Sequence, residues 1–315
     1  MNHAAIILVA IALDLGIGWP DGLYRRIGHP VTWMGAAIRT LEALWNKPTV
    51  GFAARKFRGV VVAVLVIASS AALAFLAQAA LPSGWVGILL GGVLVWPFIA
   101  LRSMHNHVAA IIPPLQAGDL ARARHEVSMI VGRDPSQLDA EGVARAATES
   151  LAENTSDGIV APIFWGLVGG LPGIVAYKAI NTLDSMIGYR SPRYVAFGWA
   201  SARIDDLVNL VPARLTGVIF ALVSARPRAA LASMLRDARL HRSPNAGWPE
   251  SAMAGALGVR LSGPRIYDGT ATDDPWVNGT CPDPKAADLR KALALYRRAM
   301  AAMTAGVAVL AVLWI

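Results

Sequence analysis

Two long apolar runs dominate the chain: Gly59 to Leu81, then Trp85 to Leu101, separated only by Pro82-Ser83-Gly84. A helix rises 1.5 Å per residue, so about 20 apolar residues cross about 30 Å of hydrocarbon. Arg55, Lys56 and Arg58 precede the first run and Arg102 follows the second. The pair therefore predicts a transmembrane hairpin, 59–81 and 85–101, with both charged ends on the cytoplasmic side. A further span is predicted over 299–315, anchored by Arg297 and Arg298.

Other apolar segments are imperfect. Ala4 to Leu13 is short and gains length only from Leu15 to Trp19, giving a weak N-terminal span over 4–19. It does not read as a signal peptide: Asn2 and His3 replace a basic start, and Asp14 interrupts the run. Segment 158–180 contains Pro162, Gly169, Gly170, Pro172 and Gly173, and segment 207–225 contains Pro212 and Arg214. Broken helices survive at membrane depth only where protein or a polar cavity satisfies the freed backbone. Both are expected to be broken or re-entrant. Two full crossings would export 181–206 with Arg190, Arg193 and Arg203, against the positive-inside bias. The polar segments 102–157 and 226–298 are expected to be cytoplasmic. The first should carry amphipathic helices over 121–131 and 140–154. The fold class is all-α: a polytopic helical integral membrane protein with Pro/Gly-broken helices.

Composition agrees with that picture. Of 315 residues, 55% are hydrophobic and only 16% charged, against about a quarter charged in soluble domains. The net charge of +8 fits basic loops beside spans. No zinc-finger spacing or RNP-like aromatic motif points to nucleic acid. Cys281 is the single cysteine, so neither an intrachain disulfide nor a cysteine zinc site is available. No Walker A loop, G-x-G-x-x-G or Ser-His-Asp elbow appears.

Four polar constellations stand out. Glu149, Glu153 and Asp157 are spaced by four, so they stay near one helical face. Hard cations such as Mg²⁺ prefer oxygen ligands, which makes Glu153 and Asp157 a candidate metal pair; a solvated acidic face ending at Gly158 reads the same. The second is Tyr177-Lys178-Ala-Ile-Asn181-Thr182-Leu-Asp184-Ser185, just after a broken apolar segment. Lys178 suits a snorkelling anchor, whereas Asp184 is costly there unless paired or functional. The third runs through Arg203, Asp205, Asp206, Asn209 and Arg214. Asp206 and Asn209 share a face at i,i+3, and Arg214 suits a buried phosphate or carboxylate. The fourth is His241-Arg242-Ser243-Pro244-Asn245 leading to Glu250, where turn residues enter a short helix and form a candidate anion site. Lys178, Asp184, Asp206 and Arg214 are expected to line one cytoplasm-open pocket with Asn181 and Asn209.

In this order the motifs "ESLAENTSDGIVAP", "YKAINTLDSMIGY", "FGWASARIDDLVNLVPARLT" and "HRSPNAGWPESAMAGALGV", with the N-terminal "LDLGIGWPDG" and "GHPVTWMG", resemble the adenosylcobinamide-phosphate synthase family of cobalamin biosynthesis, often called CobD or CbiB. The resemblance covers nearly the whole chain. It implies a multi-pass enzyme of the bacterial inner membrane with a cytoplasmic catalytic face. Its reaction joins adenosylcobyric acid to aminopropanol or aminopropanol phosphate through an amide, with ATP as co-substrate and Mg²⁺. A corrinoid, the amine, the lipid bilayer and other membrane-associated late-corrinoid enzymes are the implied partners. Residue chemistry then assigns catalytic roles to Glu149, Glu153, Asp157, Asp184 and Asp206. Substrate or phosphate contacts fall to Lys178, Asn181, Thr182, Ser185, Arg203, Asn209, Arg214, His241, Ser243, Asn245 and Glu250. Two other classes stay open: a transporter using Lys178, Asp184 and Arg214 at midplane, and a non-catalytic membrane sensor.

Overall fold

The structure, a computed structural model, describes residues 2–132, 134–267 and 270–313. Trp314 and Ile315 of the expected last span lie outside the described residues, as do Arg133 of segment 102–157 and Asp268 and Gly269 of segment 226–298. Fourteen α-helices are described. They are α1 (His3–Ile17), α2 (Asp21–Ile27), α3 (Pro30–Trp45), α4 (Phe52–Ala79), α5 (Trp85–Val95), α6 (Leu101–Ala117) and α7 (Leu120–Ser128). They continue as α8 (Ala140–Thr155), α9 (Ala161–Ile187), α10 (Trp199–Val208), α11 (Leu210–Val223), α12 (Pro227–Asp237), α13 (Gly247–Leu257) and α14 (Ala286–Leu313). Two short antiparallel ribbons pair β1 (Leu261–Ser262) with β4 (Trp276–Val277) and β2 (Arg265–Tyr267) with β3 (Thr270–Thr272).

Among the described residues, four helical stretches are long and apolar enough to cross a membrane: Phe52–Ala79, Trp85–Ala117, Ala140–Ile187 and Ala286–Leu313. Two bent helix pairs raise the number to six if each is one span. The helices keep large apolar side chains on the outside, among them Leu73, Phe75 and Leu76 of α4, Leu89 and Val93 of α5, and Val312 of α14. An outward apolar surface of that kind is matched by lipid rather than water. The protein is an all-α, multi-pass membrane protein.

The chain forms two compact units. The first comprises Met1–Ala100, Ala161–Asn209 and Val307–Ile315. Its core joins Ile38, Val62, Ala63, Val66, Leu183, Ile187 and Phe197, contributed by α3, α4, α9 and the loop before α10. The contacts are closest at glycines. A Cβ on Gly59 of α4 would run into the Phe197 carbonyl, and one on Gly198 into the Ile187 carbonyl. Gly91 of α5 likewise receives the Ile6 side chain of α1. Where lipid is as apolar as the partner helix, close backbone approach at small residues supplies the dispersion contacts that hold helices together.

Helix α9 is broken at one point, Gly170, where φ is 64° and ψ −149°. That left-handed conformation is open to glycine and costly for a residue with a Cβ. Residues eight apart in a straight helix lie about 12 Å apart, yet a Cβ on Gly173 would strike the Trp165 carbonyl. The two halves of α9 therefore fold back on each other. Pro172 sits in the first turn of the second half, where its missing N–H costs nothing. The freed Leu171 N–H donates to Gln78 Oε1 of α4 at 2.8 Å. Ahead of α9, Ser156–Val160 widens into a π-turn just before Pro162, a common accommodation for a missing donor and a frequent mark of functional sites. The apolar run 85–101 is not one helix. Residues Trp96–Phe98 form a 3₁₀ turn around Pro97, and α6 starts afresh at Leu101.

An ionic clasp fixes the loop between α9 and α10. Buried Glu42 accepts from Arg193 Nε at 3.0 Å and Nη2 at 2.9 Å, and from Asn46 Nδ2 at 2.8 Å. Asn46 and Arg55 both donate to the Arg193 carbonyl, and Arg55 also donates to Asn46 Oδ1 at 2.8 Å. Lys56 lies 3.7 Å over the Trp199 ring. The basic N-terminal end of α4 and the arginine-bearing 188–198 loop thus share one end of this unit.

The second unit comprises Leu101–Val160 and Leu210–Gly306. Within it Tyr296 of α14 donates to the Leu101 carbonyl at 2.7 Å. Asp283 pairs with Arg260 and, at 2.7 Å, with Arg145. Trp276 lies against both guanidiniums, 4.1 Å from Arg260 and 5.1 Å from Arg145. The Arg260 hydrogen bond, helped by the Arg145 charge, holds the Asp283 carboxyl below the usual carboxylate range.

Gly59→Val should separate α4 from the 188–198 loop and cost about 1–3 kcal/mol, as overpacking does. Thermal unfolding in detergent checks it, and an unshifted transition would refute the close contact. Asp283 gives a pH signature. A depressed carboxyl stabilises the fold above its unfolded pKa, about 3.9, and that stabilisation disappears as pH falls through the lower folded value. Asp283→Asn should cost about 1 kcal/mol near pH 7, with water partly screening the pair, and less near pH 3. Equal losses at both pH values would mean that the charge of Asp283 does not hold the ribbon.

Candidate functional site

In the first unit, polar residues line a seam between two helices. Tyr177, Asn181 and Asp184 recur along the second half of α9 at steps of four and three. Ser201, Asp205 and Asn209 recur along α10 and its C-cap at steps of four. Such spacings keep each set on one helical face. The Tyr177 hydroxyl donates to Asn209 Oδ1 at 2.9 Å, and Asn209 Nδ2 donates to Asp205 Oδ2 at 3.0 Å. Tyr177, Ser201, Asp205 and Asn209 are all buried. Asn181 is close enough to Asp205 to interact with it, and Asp184 and Asp206 are its like-charged neighbours. Polar side chains buried in apolar helices demand partners, and this chain of donors meets much of that demand.

The sequence reading put Asp206 with Asn209. The structure instead gives Asn209 to Asp205, one residue earlier, and Asp206 pairs with Arg203 at 3.3 Å. An i,i+4 step brings the Asn209 amide over Asp205, whereas Asp206 is rotated about 100° away, toward Arg203 and Arg190. Lys178 is half-buried and lies within electrostatic reach of His29. Thr182 turns its hydroxyl back to the Lys178 carbonyl at 2.6 Å, and Ser185 is exposed. Asp184 packs its carboxylate onto Gly188, where a side chain would clash.

The remaining candidates belong to the second unit. Glu149 is buried in α8 and accepts the Ser262 backbone N–H at 2.7 Å, so it ties α8 to β1. Ser262 has a φ of 62°, and the carboxylate compensates that strained turn. Glu153 is exposed and Asp157 half-buried within the π-turn. Arg214 donates to the Leu210 carbonyl at 2.7 Å and to Asn245 Oδ1 at 3.4 Å, and stacks 4.4 Å from the Trp248 ring. The turn entering α13 is built by its own side chains. His241 Nδ1 accepts from the Ser243 N–H at 3.0 Å, and Ser243 Oγ accepts from the N–H groups of Asn245 and Ala246, both at 3.2 Å. His241 Nε2 lies 3.6 Å from Glu250 Oε1. No group of three or more His, Cys, Asp or Glu side chains among the described residues is arranged to hold a metal ion.

Three buried residues of the seam were given no role from the sequence: Tyr177 and Asp205 stood in its polar constellations without one, and Ser201 lay beside them in the motif FGWASARIDDLVNL. The signal was present: Ser201, Asp205 and Asn209 repeat at four, a period that outranks the charge pair Asp205-Asp206.

The comparisons with known proteins agree with one another. Over 314 residues the chain is 67% identical to the cobalamin biosynthesis protein CobD of Rhodobacter capsulatus, covering 100% of this chain and 99% of that protein. Identity is 49% over 288 residues to the protein of the same name from a Sinorhizobium species, with 89% of each covered. It is 45% over 307 residues to that of Brucella suis, with 95% and 94% covered. No solved structure matches the chain. The family model described as CobD/CbiB protein matches residues 7–296, which takes in the α9–α10 seam, the π-turn and the turn into α13: the chain belongs to the CobD/CbiB family.

Proposed function

We propose that this protein is the cobalamin-biosynthesis enzyme that joins adenosylcobyric acid to aminopropanol, or to its phosphate, by ATP-dependent amide formation. The observation that carries the proposal is the family match over residues 7–296, together with a relative named for cobalamin biosynthesis at 67% identity. The chemistry follows from the reactants. A carboxylate does not condense with an amine unaided in water. The corrinoid carboxylate attacks the γ-phosphoryl group of ATP and ADP departs. The amine nitrogen then attacks the acyl phosphate, a C–N bond forms, inorganic phosphate leaves and the nitrogen loses a proton. Each half-reaction develops negative charge that cations must stabilise.

Mg²⁺ is usually held by one or two carboxylates and by substrate phosphates. Glu153 and Asp157, one exposed and one half-buried, one turn apart, fit such an open arrangement. The described residues offer no closed cage, in keeping with a metal that arrives on the nucleotide. There it would neutralise phosphate charge. Lys178, Arg203 and Arg214 are the cationic candidates for anionic groups. The catalytic face is cytoplasmic in this proposal, because the basic end of α4 and Arg193 lie together and the bias of Arg and Lys is inward.

Protein purified in detergent with ATP, Mg²⁺, adenosylcobyric acid and aminopropanol phosphate should yield the amide product and equimolar ADP. A lack of product with all components present would overturn the enzyme reading, and amine transport without ATP turnover would support the transporter. Asp157→Asn should lower kcat by more than tenfold, about 1.4 kcal/mol of barrier, with normal membrane accumulation; near-normal turnover in both Glu153→Gln and Asp157→Asn returns this face to a structural role. A cysteine placed at Arg124 or Arg239 should resist an impermeant thiol reagent applied outside intact cells. Ready labelling at either position would reverse the orientation.

A further inference from the structure

The α9–α10 seam is not fully satisfied, and what it lacks is specific. Asp205 is 9% exposed and Ser201 1% exposed. Asp205 Oδ2 is engaged by Asn209, whereas Asp205 Oδ1 and Ser201 Oγ, both buried, have no hydrogen-bond partner. The two atoms belong to residues one helical turn apart on the same face of α10.

Their surroundings define the ligand. Tyr177 donates its hydroxyl hydrogen to Asn209 Oδ1, which fixes the Asn209 amide with its NH₂ toward Asp205. The carboxylate is thereby held from one side, Asn181 lies beside it, and its buried Oδ1 makes no hydrogen bond. Asp184 brings a second carboxylate into electrostatic range. A seat of oxygen acceptors with net negative charge selects a cation. It is not a ready metal shell, since no cluster of three or more ligating side chains is arranged for one among the described residues. A primary ammonium fits: it carries three N–H donors, no acceptor and one positive charge. Asp205 Oδ1 and Ser201 Oγ supply two acceptors, and the charge of Asp184 supplements them.

We propose that Ser201 and Asp205, oriented by Asn209 and Tyr177, form the seat for the primary ammonium group of the amine substrate. This rests on the amide-forming reading above. It assigns amine recognition to the membrane-embedded helix pair rather than to the polar turn into α13.

The test is direct binding of aminopropanol phosphate to detergent-purified protein by titration calorimetry, with turnover measured on the same samples. Asp205→Asn should weaken amine binding about 10- to 100-fold, the range expected when a charge-assisted hydrogen bond is lost. Ser201→Ala, which removes one atom, should weaken it about 2- to 10-fold. The KM for adenosylcobyric acid should stay within about twofold in both. Should Asp205→Asn fail to fold, Ser201→Ala and competition on the unaltered protein decide. Methylammonium should displace the amine, whereas tetramethylammonium, which has no N–H, should not. Equal competition by the two ions, or unchanged amine affinity in the folded variants, would overturn the seat. Amide formation by the unaltered protein with an unchanged amine KM in Asp205→Asn would also overturn it, yet leave the enzyme reading intact. Amine binding that depends on Asp205 without any amide product would do the reverse.

Discussion

The bidentate pairing of Arg193 with buried Glu42 sets the register of the first unit. Glu42 sits in α3 and cannot remain charged in an apolar environment without a partner. Arg193 meets that demand and, through its carbonyl, also gathers Asn46 and Arg55. The loop after α9 is thus tied to the start of α4. Because that loop is short, tying it also fixes where α9 ends and α10 begins. The close approaches at Gly59 and Gly198 then follow, and with them the alignment that brings Tyr177 opposite Asn209.

The two units meet the cost of a buried carboxylate with different partners. The first buries carboxylates among apolar helices and meets them with arginine, asparagine and tyrosine. The second ties polar segments through Asp283, its two arginines and the Trp276 ring that both guanidiniums contact. Glu149 shows how easily an acidic pattern is misjudged. It belongs to the same four-residue spacing as Glu153 and Asp157, yet its carboxylate is committed to a backbone N–H in a strained turn.

Much of the architecture was legible in the chain. Long apolar runs flanked by arginine declare membrane helices because desolvating a charge is so costly. The breaks in α9 were legible as a region but not as a point. Pro162, Gly169, Gly170, Pro172 and Gly173 crowd that segment, and only backbone geometry singles out Gly170 for the left-handed turn while Pro172 merely opens the next helix. The seam was partly hidden for another reason. Asp206 was chosen over Asp205 because it shares a helical face with Asn209 at i,i+3, although burial and the i,i+4 hydrogen bond belong to Asp205. Arg193 and Glu42 lie 151 positions apart, a pairing that no local pattern announces.

The hydrogen bond from the Leu171 N–H to Gln78 has a consequence for biogenesis. The turn at Gly170 exposes a backbone donor that lipid cannot satisfy. Its acceptor is supplied by a helix made 93 positions earlier. During synthesis α4 leaves the ribosome first, so its glutamine is already in the bilayer when the broken helix arrives. The chain order therefore doubles as an assembly order: the sharp turn is inserted against a neighbour that is waiting for it.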